Sequence, residues 1–249
     1  MILFLTYHKV LPDPHQNPEF YTTGTKTLER QLDLLAGSRI RPISPTELQD
    51  WKGRPEPGYV LSFDDGTRDH FENVLPLLDR FQRKAVFFVP TSKLDREGYL
   101  SGAELREMSR RGHSIGLHGH DHRRVDEMSE EDIRAQTLLS SEHIERLTGT
   151  KPTIFAPPGG FMNERVRQAA MDAGVKVIRT MQWGYNKNPD LTSLCCVPVN
   201  RYTTEREFRD VLDFRSRALT YALKEAVKRL LPTSVYVSLR DALMGRVRG

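Results

Sequence analysis

Two adjacent carboxylates stand at the end of a mostly apolar stretch of the chain. Asp64 and Asp65 follow the run 59–63, and Gly66 comes next and permits a tight turn. Neighbouring carboxylates repel each other unless a cation or a proton separates their roles. A metal ion bound to one of them would leave the other to act as a general base. The alternative is a solvated strand-to-helix loop in which an aspartate caps the following helix.

Three histidines occupy alternate positions of a second short stretch, at His118, His120 and His122. They follow the run 114–117, which is a candidate strand. Imidazoles that are held together without protons usually share a cation. His118 and His122 can converge on one ion while His120 points away from it. The alternative is a solvated polar loop.

Together the two stretches resemble the first two motifs of the polysaccharide deacetylase family, the nodulation-type enzymes of carbohydrate esterase family four. The first motif is residues 61–66, Leu-Ser-Phe-Asp-Asp-Gly. In the second, residues 116–122, Gly-Leu-His is followed by another histidine after three intervening residues. An altered third motif stands at residues 155–160. The resemblance extends over about residues 1–200.

The resemblance implies an α/β fold, a distorted (β/α)7 barrel, with one divalent metal ion: zinc, or else cobalt or nickel. It also implies that Asp65, His118 and His122 bind the ion and that Asp64 is the base. One carboxylate and two imidazoles leave coordination positions open, as a catalytic site requires. Such an ion polarises a carbonyl and lowers the pKa of water, which is what hydrolysis of an unreactive amide needs.

Substrate contacts are expected from the third motif and from one aromatic residue. The resemblance implies that Pro158, Gly159 and Gly160 line the substrate site, with the Gly159 N–H donating to the oxyanion formed from the acetyl group. Trp183 follows a candidate strand and could stack on a sugar ring. Packing inside the fold is the alternative for this side chain.

The chain departs from the family pattern at two places that concern the catalytic groups. The family often has an arginine in the third motif that holds the catalytic aspartate, but this chain has Ala156 there. Arg179 or Arg201, each near a strand end, could take its place. The family also commonly has a C-terminal Leu-x-His whose histidine protonates the leaving amine, and no histidine follows His143 here.

A substitute for the missing histidine stands near the N-terminus. Residues 5–10, Leu-Thr-Tyr-His-Lys-Val, resemble the opening of the biofilm poly-N-acetylglucosamine deacetylases, in which the order of the motifs is circularly permuted. The first and last strands of a closed barrel are neighbours, so His8 would face the same mouth as Asp64. The resemblance implies that His8 protonates the leaving amine; the alternative is that it only caps the strand. Surface positions are expected for His70 and His113.

These motifs are distributed along an alternation of strands and helices, which indicates parallel strand pairing. About seven such units predict a closed or nearly closed barrel with its chemistry at the C-terminal ends of the strands. Residues 1–203 are assigned to the barrel, and residues 204–249 to a helical C-terminal extension packed on it. The candidate strands are 2–7, 40–43, 59–63, 85–89, 114–117, 153–155, 175–179 and 195–199, and the candidate helices are 27–36, 69–83, 102–111, 130–147 and 163–173, with polar N-caps at Thr25, Ser101, Ser129 and Asn163.

The charge pattern bears on partners and on location. The net charge of the 249 residues is +4, and no aromatic–basic interleaving favours nucleic acid as a partner. Residues 214–231 predict a helix with an apolar stripe and several cations, a pattern typical of weak contact with an anionic membrane surface. Packing of the stripe on the barrel is the alternative. We expect a cytoplasmic protein, at most peripheral to the inner face of the membrane, that acts on an amino-sugar-containing glycan or a lipid-linked sugar.

The predicted function is that of a metal-dependent hydrolase that removes an N-acetyl group from an amino sugar of a polysaccharide or of its biosynthetic precursor. Two alternatives stay open. A metal-dependent phosphoesterase also uses aspartate pairs and histidine clusters, although two-metal sites need further ligands. A catalytically inactive sugar-binding barrel is suggested by Ala156, although the intact aspartates and histidines argue against it.

Overall fold

Parallel strands form a closed barrel in the computed structural model, which describes residues 1–14, 19–51, 53 and 56–215. In these residues the strands are β1 (Ile2–Tyr7), β2 (Val10–Leu11), β3 (Thr23–Gly24), β4 (Arg41–Pro42), β5 (Gly58–Phe63), β6 (Ala85–Val89), β7 (Ser114–Leu117), β8 (Ile154–Phe155), β9 (Val177–Trp183) and β10 (Leu194–Pro198). The ring runs from β1 through β10, β9, β8, β7 and β6 to β5, which pairs with β1 and closes it. The predicted seven-stranded barrel is confirmed.

The strand β4 lies outside this ring. It pairs with Gly58 and Tyr59 at the start of β5, whereas β6 pairs with β5 from Leu61 to Phe63. Two strands therefore share one edge of β5, while β1 occupies the whole of the other edge. All eight predicted strands are present within a few residues of their expected bounds. The short parallel pair of β2 and β3 was not expected.

The helices in the described part of the chain are α1 (Thr25–Ala36), α2 (Pro45–Gln49), α3 (Leu75–Arg80), α4 (Gly102–Arg110), α5 (Glu130–Thr148), α6 (Glu164–Asp172) and α7 (Glu205–Leu212). The predicted N-caps Ser101, Ser129 and Asn163 are confirmed, because each side chain accepts a backbone N–H of its first turn. The predicted cap at Thr25 is wrong. Gly24 precedes α1 as the N-cap, and Thr25 is its first helical residue.

The predicted helix 69–83 is divided into two parts. A π-helical turn, His70–Val74, comes first, and α3 follows it directly. Pro76 lies in the first turn of α3, where its missing N–H removes one bond to the preceding turn. Turns of the π type are rare and occur often at functional sites.

The strands at the centre of the barrel are covered on both faces. All six residues of β1 and all six of β5 are buried. Strands of this kind consist of near-continuous apolar runs, which is why the sequence predicts them well. The helix α1 is tied to the barrel by Tyr7, whose hydroxyl donates to Gln31 Oε1 at 2.9 Å.

The first helix of the predicted C-terminal extension is α7. It belongs to the same compact unit as the barrel, Met1–Phe214, and Phe208 of α7 is buried. Residues 216–249 lie outside the described residues, and with them nearly all of the predicted helix 214–231. Packing of the rest of the extension on the barrel stays a prediction. None of the helices that the structure describes is long and apolar enough to cross a membrane.

Candidate active site

Three strands that carry predicted site residues end at the same mouth of the barrel. Asp64 and Asp65 follow β5, His118 follows β7 and His8 follows β1. The C-terminal ends of parallel barrel strands gather such side chains into one site. Because β1 pairs with β5, the base and the expected acid are neighbours, and the Asp64 N–H donates to the carbonyl of Tyr7 at 2.9 Å.

The three predicted metal ligands converge on one point. Asp65 Oδ1 lies 3.3 Å from His118 Nε2 and 3.0 Å from His122 Nε2. One ligand atom from each of the three side chains lies within 4.8 Å of the other two. Within the residues that the structure describes, no second group of His, Cys, Asp and Glu is arranged in this way. His120 lies outside the group, as predicted, and its Nδ1 is 2.9 Å from the Thr91 hydroxyl.

The electrostatics of this group favour a bound cation. Burial by itself raises the pKa of Asp65, but hydrogen bonds from His118 and His122 outweigh it, and the pKa falls well below its ordinary value. The hydrogen bond with Asp65 raises the pKa of His122, against the opposing effect of burial. A deprotonated carboxylate with two imidazole nitrogens is a donor set for one divalent ion with open positions. The residues present therefore fit the metal that the sequence predicts.

The backbone around the two aspartates explains why adjacent carboxylates serve different partners. Asp65 has a φ of 76° and Gly66 a φ of 60°, both in the left-handed region. Aspartate tolerates this region better than most residues. The turn directs Asp65 toward the histidines and leaves Asp64 facing the barrel interior. A Cβ at Gly66 would lie 3.0 Å from a methyl group of Val89, so the turn also packs closely on β6.

The carbonyl of Ala156 orients the first histidine ligand. His118 Nδ1 donates to this oxygen at 2.6 Å, so Nε2 is the ring nitrogen that faces Asp65 and that would bind a metal ion. Metal-binding histidines usually have such a partner, since it fixes both the tautomer and the ring orientation. The altered third motif thus keeps a backbone role at the position where the family often has an arginine.

The arginine that holds Asp64 comes from β9. Arg179 Nη2 lies 2.5 Å and 2.6 Å from the two carboxylate oxygens of Asp64, and both side chains are buried. Burial alone lowers the pKa of Arg179, but the charge and hydrogen bonds of Asp64, together with smaller contributions from Cys196 and Asp65, raise the pKa above its ordinary value. Arg201, the other candidate, instead donates to the carbonyl of Pro14. The structure therefore decides between the two arginines in favour of Arg179.

The predicted proton donor lies on the other side of the same carboxylate. His8 Nε2 is 3.8 Å from Asp64 Oδ2, and the His8 side chain is 16% exposed. Its ring stacks on Tyr21 with a centroid distance of 4.7 Å and an interplanar angle of 17°. Burial lowers the pKa of His8, while the charges of Asp64 and Asp65 oppose that shift. The predictions did not include Tyr21, because no local pattern in the sequence marks it.

The third motif forms a tight glycine turn beside the histidine turn. Pro158 contacts the position where a Cβ of Gly119 would stand, at 3.5 Å. Gly159 and Gly160 have φ values of 67° and 71°, and a Cβ at Gly160 would approach the Met181 N–H group to 2.2 Å. Only glycine fits there, because the turn lies against β9. Gly159 is exposed, and the substrate role of these residues stays a prediction.

Trp183 packs against other side chains of the fold. It is the last residue of β9, and the chain then returns to the N-terminal end of the barrel, where Asn186 pairs with Ile2. The Trp183 ring packs on Tyr185 at 5.4 Å and against the hydrophobic core. These contacts correspond to the packing alternative, and stacking of Trp183 on a sugar stays a prediction.

A closed parallel barrel with an open Asp-His-His group and a buried carboxylate beside it is an arrangement that metal-dependent hydrolases use. The family model for polysaccharide deacetylase matches residues 52–178, which is more than half of the chain. The chain therefore belongs to the polysaccharide deacetylase family. The resemblance seen in the motifs is confirmed.

Individual relatives agree with this assignment. A peptidoglycan-N-acetylglucosamine deacetylase from Bacillus cereus is 29% identical over 151 residues, which is 60% of this chain and 67% of that protein. The chain spans 58% and 48% of the lengths of two further curated relatives. Among solved structures, the Streptococcus pyogenes deacetylase PplD in complex with acetate superposes with a TM-score of 0.77 at 20% identity, over 85% of this chain and 97% of that one. IcaB from Ammonifex degensii gives 0.75 at 22%, over 86% and 97%. At such identities the two structures show a shared fold.

Proposed function

We propose that this protein is a metal-dependent hydrolase that removes an N-acetyl group from an amino sugar of a polysaccharide or of its biosynthetic precursor. One observation carries the proposal: an open metal-binding group lies next to a buried carboxylate that Arg179 holds by both oxygens. Amide hydrolysis needs a Lewis acid and a base in this relation. The name of the Bacillus cereus relative supports an N-acetylated amino sugar as the substrate.

Three residues would hold the metal ion. Asp65, His118 and His122 supply one carboxylate and two imidazole nitrogens. When bound, the ion would polarise the acetyl carbonyl and make water more acidic. Zinc is the proposed ion because this donor set and an open position are typical of catalytic zinc, and cobalt or nickel would accept the same ligands.

Proton transfer is assigned to residues that follow the neighbouring strands β1 and β5. Asp64 takes the proton of the attacking water while Arg179 keeps the carboxylate oriented. His8 delivers a proton to the nitrogen of the departing amine, since an unprotonated amine leaves very slowly. The N–H of Gly159 would donate to the developing oxyanion.

Acetate release is the decisive measurement. The protein is stripped with a chelator, reloaded with Zn²⁺, Co²⁺ or Ni²⁺, and incubated with N-acetylglucosamine oligomers. We expect release only after reloading, and none from the Asp64→Asn variant. A reloaded protein that binds the oligomers without releasing acetate would favour the inactive sugar-binding barrel. Hydrolysis of bis(4-nitrophenyl) phosphate without acetate release would favour the phosphoesterase.

A lipid-linked sugar and weak membrane contact form a separate part of the proposal. Their support is the sequence of residues 214–231, in which an apolar stripe is combined with several cations. Each cation near an anionic leaflet contributes about 1 kcal/mol, so attachment would be reversible and sensitive to salt. Flotation with anionic liposomes at low salt tests it, and absence of co-migration would remove this part. Placement in the cytoplasm stays a prediction that cell fractionation tests.

A further inference from the structure

The segment that carries His8 is held by three side chains from one helical turn. The Val10 N–H donates to Asp69 Oδ2 at 2.6 Å, and Asn73 Nδ2 donates to the carbonyl of Val10 at 2.8 Å. His70 Nε2 donates to the carbonyl of His8 at 2.9 Å. We propose that Asp69, His70 and Asn73 form a clamp that positions His8 to protonate the leaving amine, an inference that rests on the proposed function.

The side chains of the clamp contact this segment, and two of them are shielded from solvent. Asp69 is 8% exposed and His70 is fully buried, contrary to the surface position expected for His70. Buried polar groups in proteins are nearly always hydrogen-bonded, and these use backbone groups of residues 8–10 as partners. The bond to Asp69 is charge-assisted and therefore among the stronger kinds.

The segment after β1 needs such support because strand pairing ends before His8. The pairing of β1 with β5 stops at Tyr7, and β2 begins only at Val10. Between these points the backbone has one further bond, in which Thr23 N–H donates to the carbonyl of Lys9 at 2.8 Å. The 3.8 Å separation of His8 from Asp64 therefore depends on contacts from outside the barrel ring.

The π-helical turn His70–Val74 suits this task. The contacts show that the side chains at positions 69, 70 and 73 all face the segment after β1. The same stretch of chain begins with the base Asp64 and the metal ligand Asp65. One continuous segment thus places the base and a metal ligand, and fixes the acid that comes from the first strand. Misplacement of a catalytic group by about 1 Å can cost about 100-fold in rate.

A comparison of two substrates distinguishes loss of acid positioning from general damage to the active site. Removal of acetate from an N-acetylglucosamine oligomer requires a proton on the leaving nitrogen. 4-Nitrophenyl acetate releases nitrophenolate, which leaves without one, although the base and the metal are used in both reactions. Loss of acid positioning should therefore slow the amide and spare the ester.

We expect Asn73→Ala and Asp69→Ala to lower kcat for the amide by about 10–100-fold, with ester hydrolysis within about twofold of the wild type. Metal content should not change. Asp69→Asn keeps an acceptor oxygen for the Val10 N–H and should recover most of the amide activity. Glu72→Ala is the matched control, because this exposed side chain of the same turn pairs with Arg68 and does not contact residues 8–10.

A second pair of measurements completes the test. In a His8→Ala background, Asn73→Ala should cause no further loss of amide activity, because the clamp acts only through His8. Hydrogen exchange at the backbone of residues 8–11 should become faster in Asn73→Ala and stay unchanged in Glu72→Ala. The clamp is overturned if amide and ester rates fall together, if the losses multiply, or if exchange is unaffected. A wild-type protein that releases no acetate with metal bound would remove the proposed function, and the exchange result would then decide on the clamp alone.

Discussion

Arg179 holds both carboxylate oxygens of Asp64, at 2.5 Å and 2.6 Å, across 115 residues of sequence. The guanidinium group also lies over the ring of Phe88, with a distance of 4.9 Å to the centroid. This chain therefore supports its base from β9, whereas the third motif contributes the Ala156 carbonyl that orients His118. The group that holds Asp64 and the group that orients His118 are therefore supplied by different strands.

Replacement of Arg179 should impair the function of Asp64 as the base without loss of the bound metal ion. Arg179→Met leaves Asp64 buried without its counter-charge, a change that typically costs 3–5 kcal/mol of stability. We expect kcat to fall by at least about 100-fold, with metal content unchanged. Arg201→Met is the control, and an equal loss in both variants would contradict the role of Arg179.

Substitutions of the two adjacent aspartates should have different effects on the metal content of the protein. Asp64→Asn removes the base and no ligand, so it should keep the metal and lose most of its turnover. Asp65→Asn removes the negative charge of the carboxylate that both histidines face, so it should lose metal affinity as well as activity. The measurement is metal content after dialysis, together with acetate release. Retention of stoichiometric metal by Asp65→Asn would show that the ligand assignment is wrong.

The site was predictable where its residues are neighbours in sequence. Asp64 and Asp65 form one motif, and His118 and His122 form another, so residue type and spacing indicated a cation site, and the family resemblance implied the individual roles. The barrel was equally predictable from the sequence, because its buried strands are apolar runs separated by helical patterns. These features depend on local sequence alone.

The other features of the site depend on contacts between residues that are distant in the sequence. Arg179 and Arg201 each lie near a strand end, and only the packed barrel shows which one meets Asp64. His70 is buried because its partner is a backbone carbonyl of a distant segment, and such a partner has no sequence signature. Trp183 packs on Tyr185 and against the core, contacts that its place after a candidate strand does not indicate, and its role toward a substrate stays a prediction.

Removal of His8 should affect the amide substrate far more than any neighbouring change. His8→Ala is expected to keep its metal and to lose about 10²–10⁴-fold in the rate of N-deacetylation. Lys9→Ala is the matched control, since this side chain pairs with Glu19 and has no role in proton transfer. Steady-state acetate release from N-acetylglucosamine oligomers checks the prediction. Full activity of His8→Ala would mean that another group protonates the amine.

Stability at mildly acidic pH should be governed in part by a histidine far from this site. His113 is buried, and its Nδ1 accepts the N–H of Ala85 at 3.3 Å. Burial, with a smaller effect from Lys84, lowers the pKa of His113 to about 4, from an ordinary value of 6.5. Protonation would break the bond to Ala85 and place a charge in the core.

Because the pKa of His113 is lower in the folded than in the unfolded protein, the unfolded chain binds more protons between these two values. Stability should therefore rise with pH from about 4 to 6.5 and level off above that, with a total change on the order of 3 kcal/mol from this residue. His113→Gln keeps an acceptor for the Ala85 N–H but does not titrate. Urea denaturation at several pH values should give a smaller loss of unfolding free energy on acidification for this variant than for the wild type. Identical pH dependence in the two proteins would mean that His113 is protonated as readily in the folded barrel as in the unfolded chain.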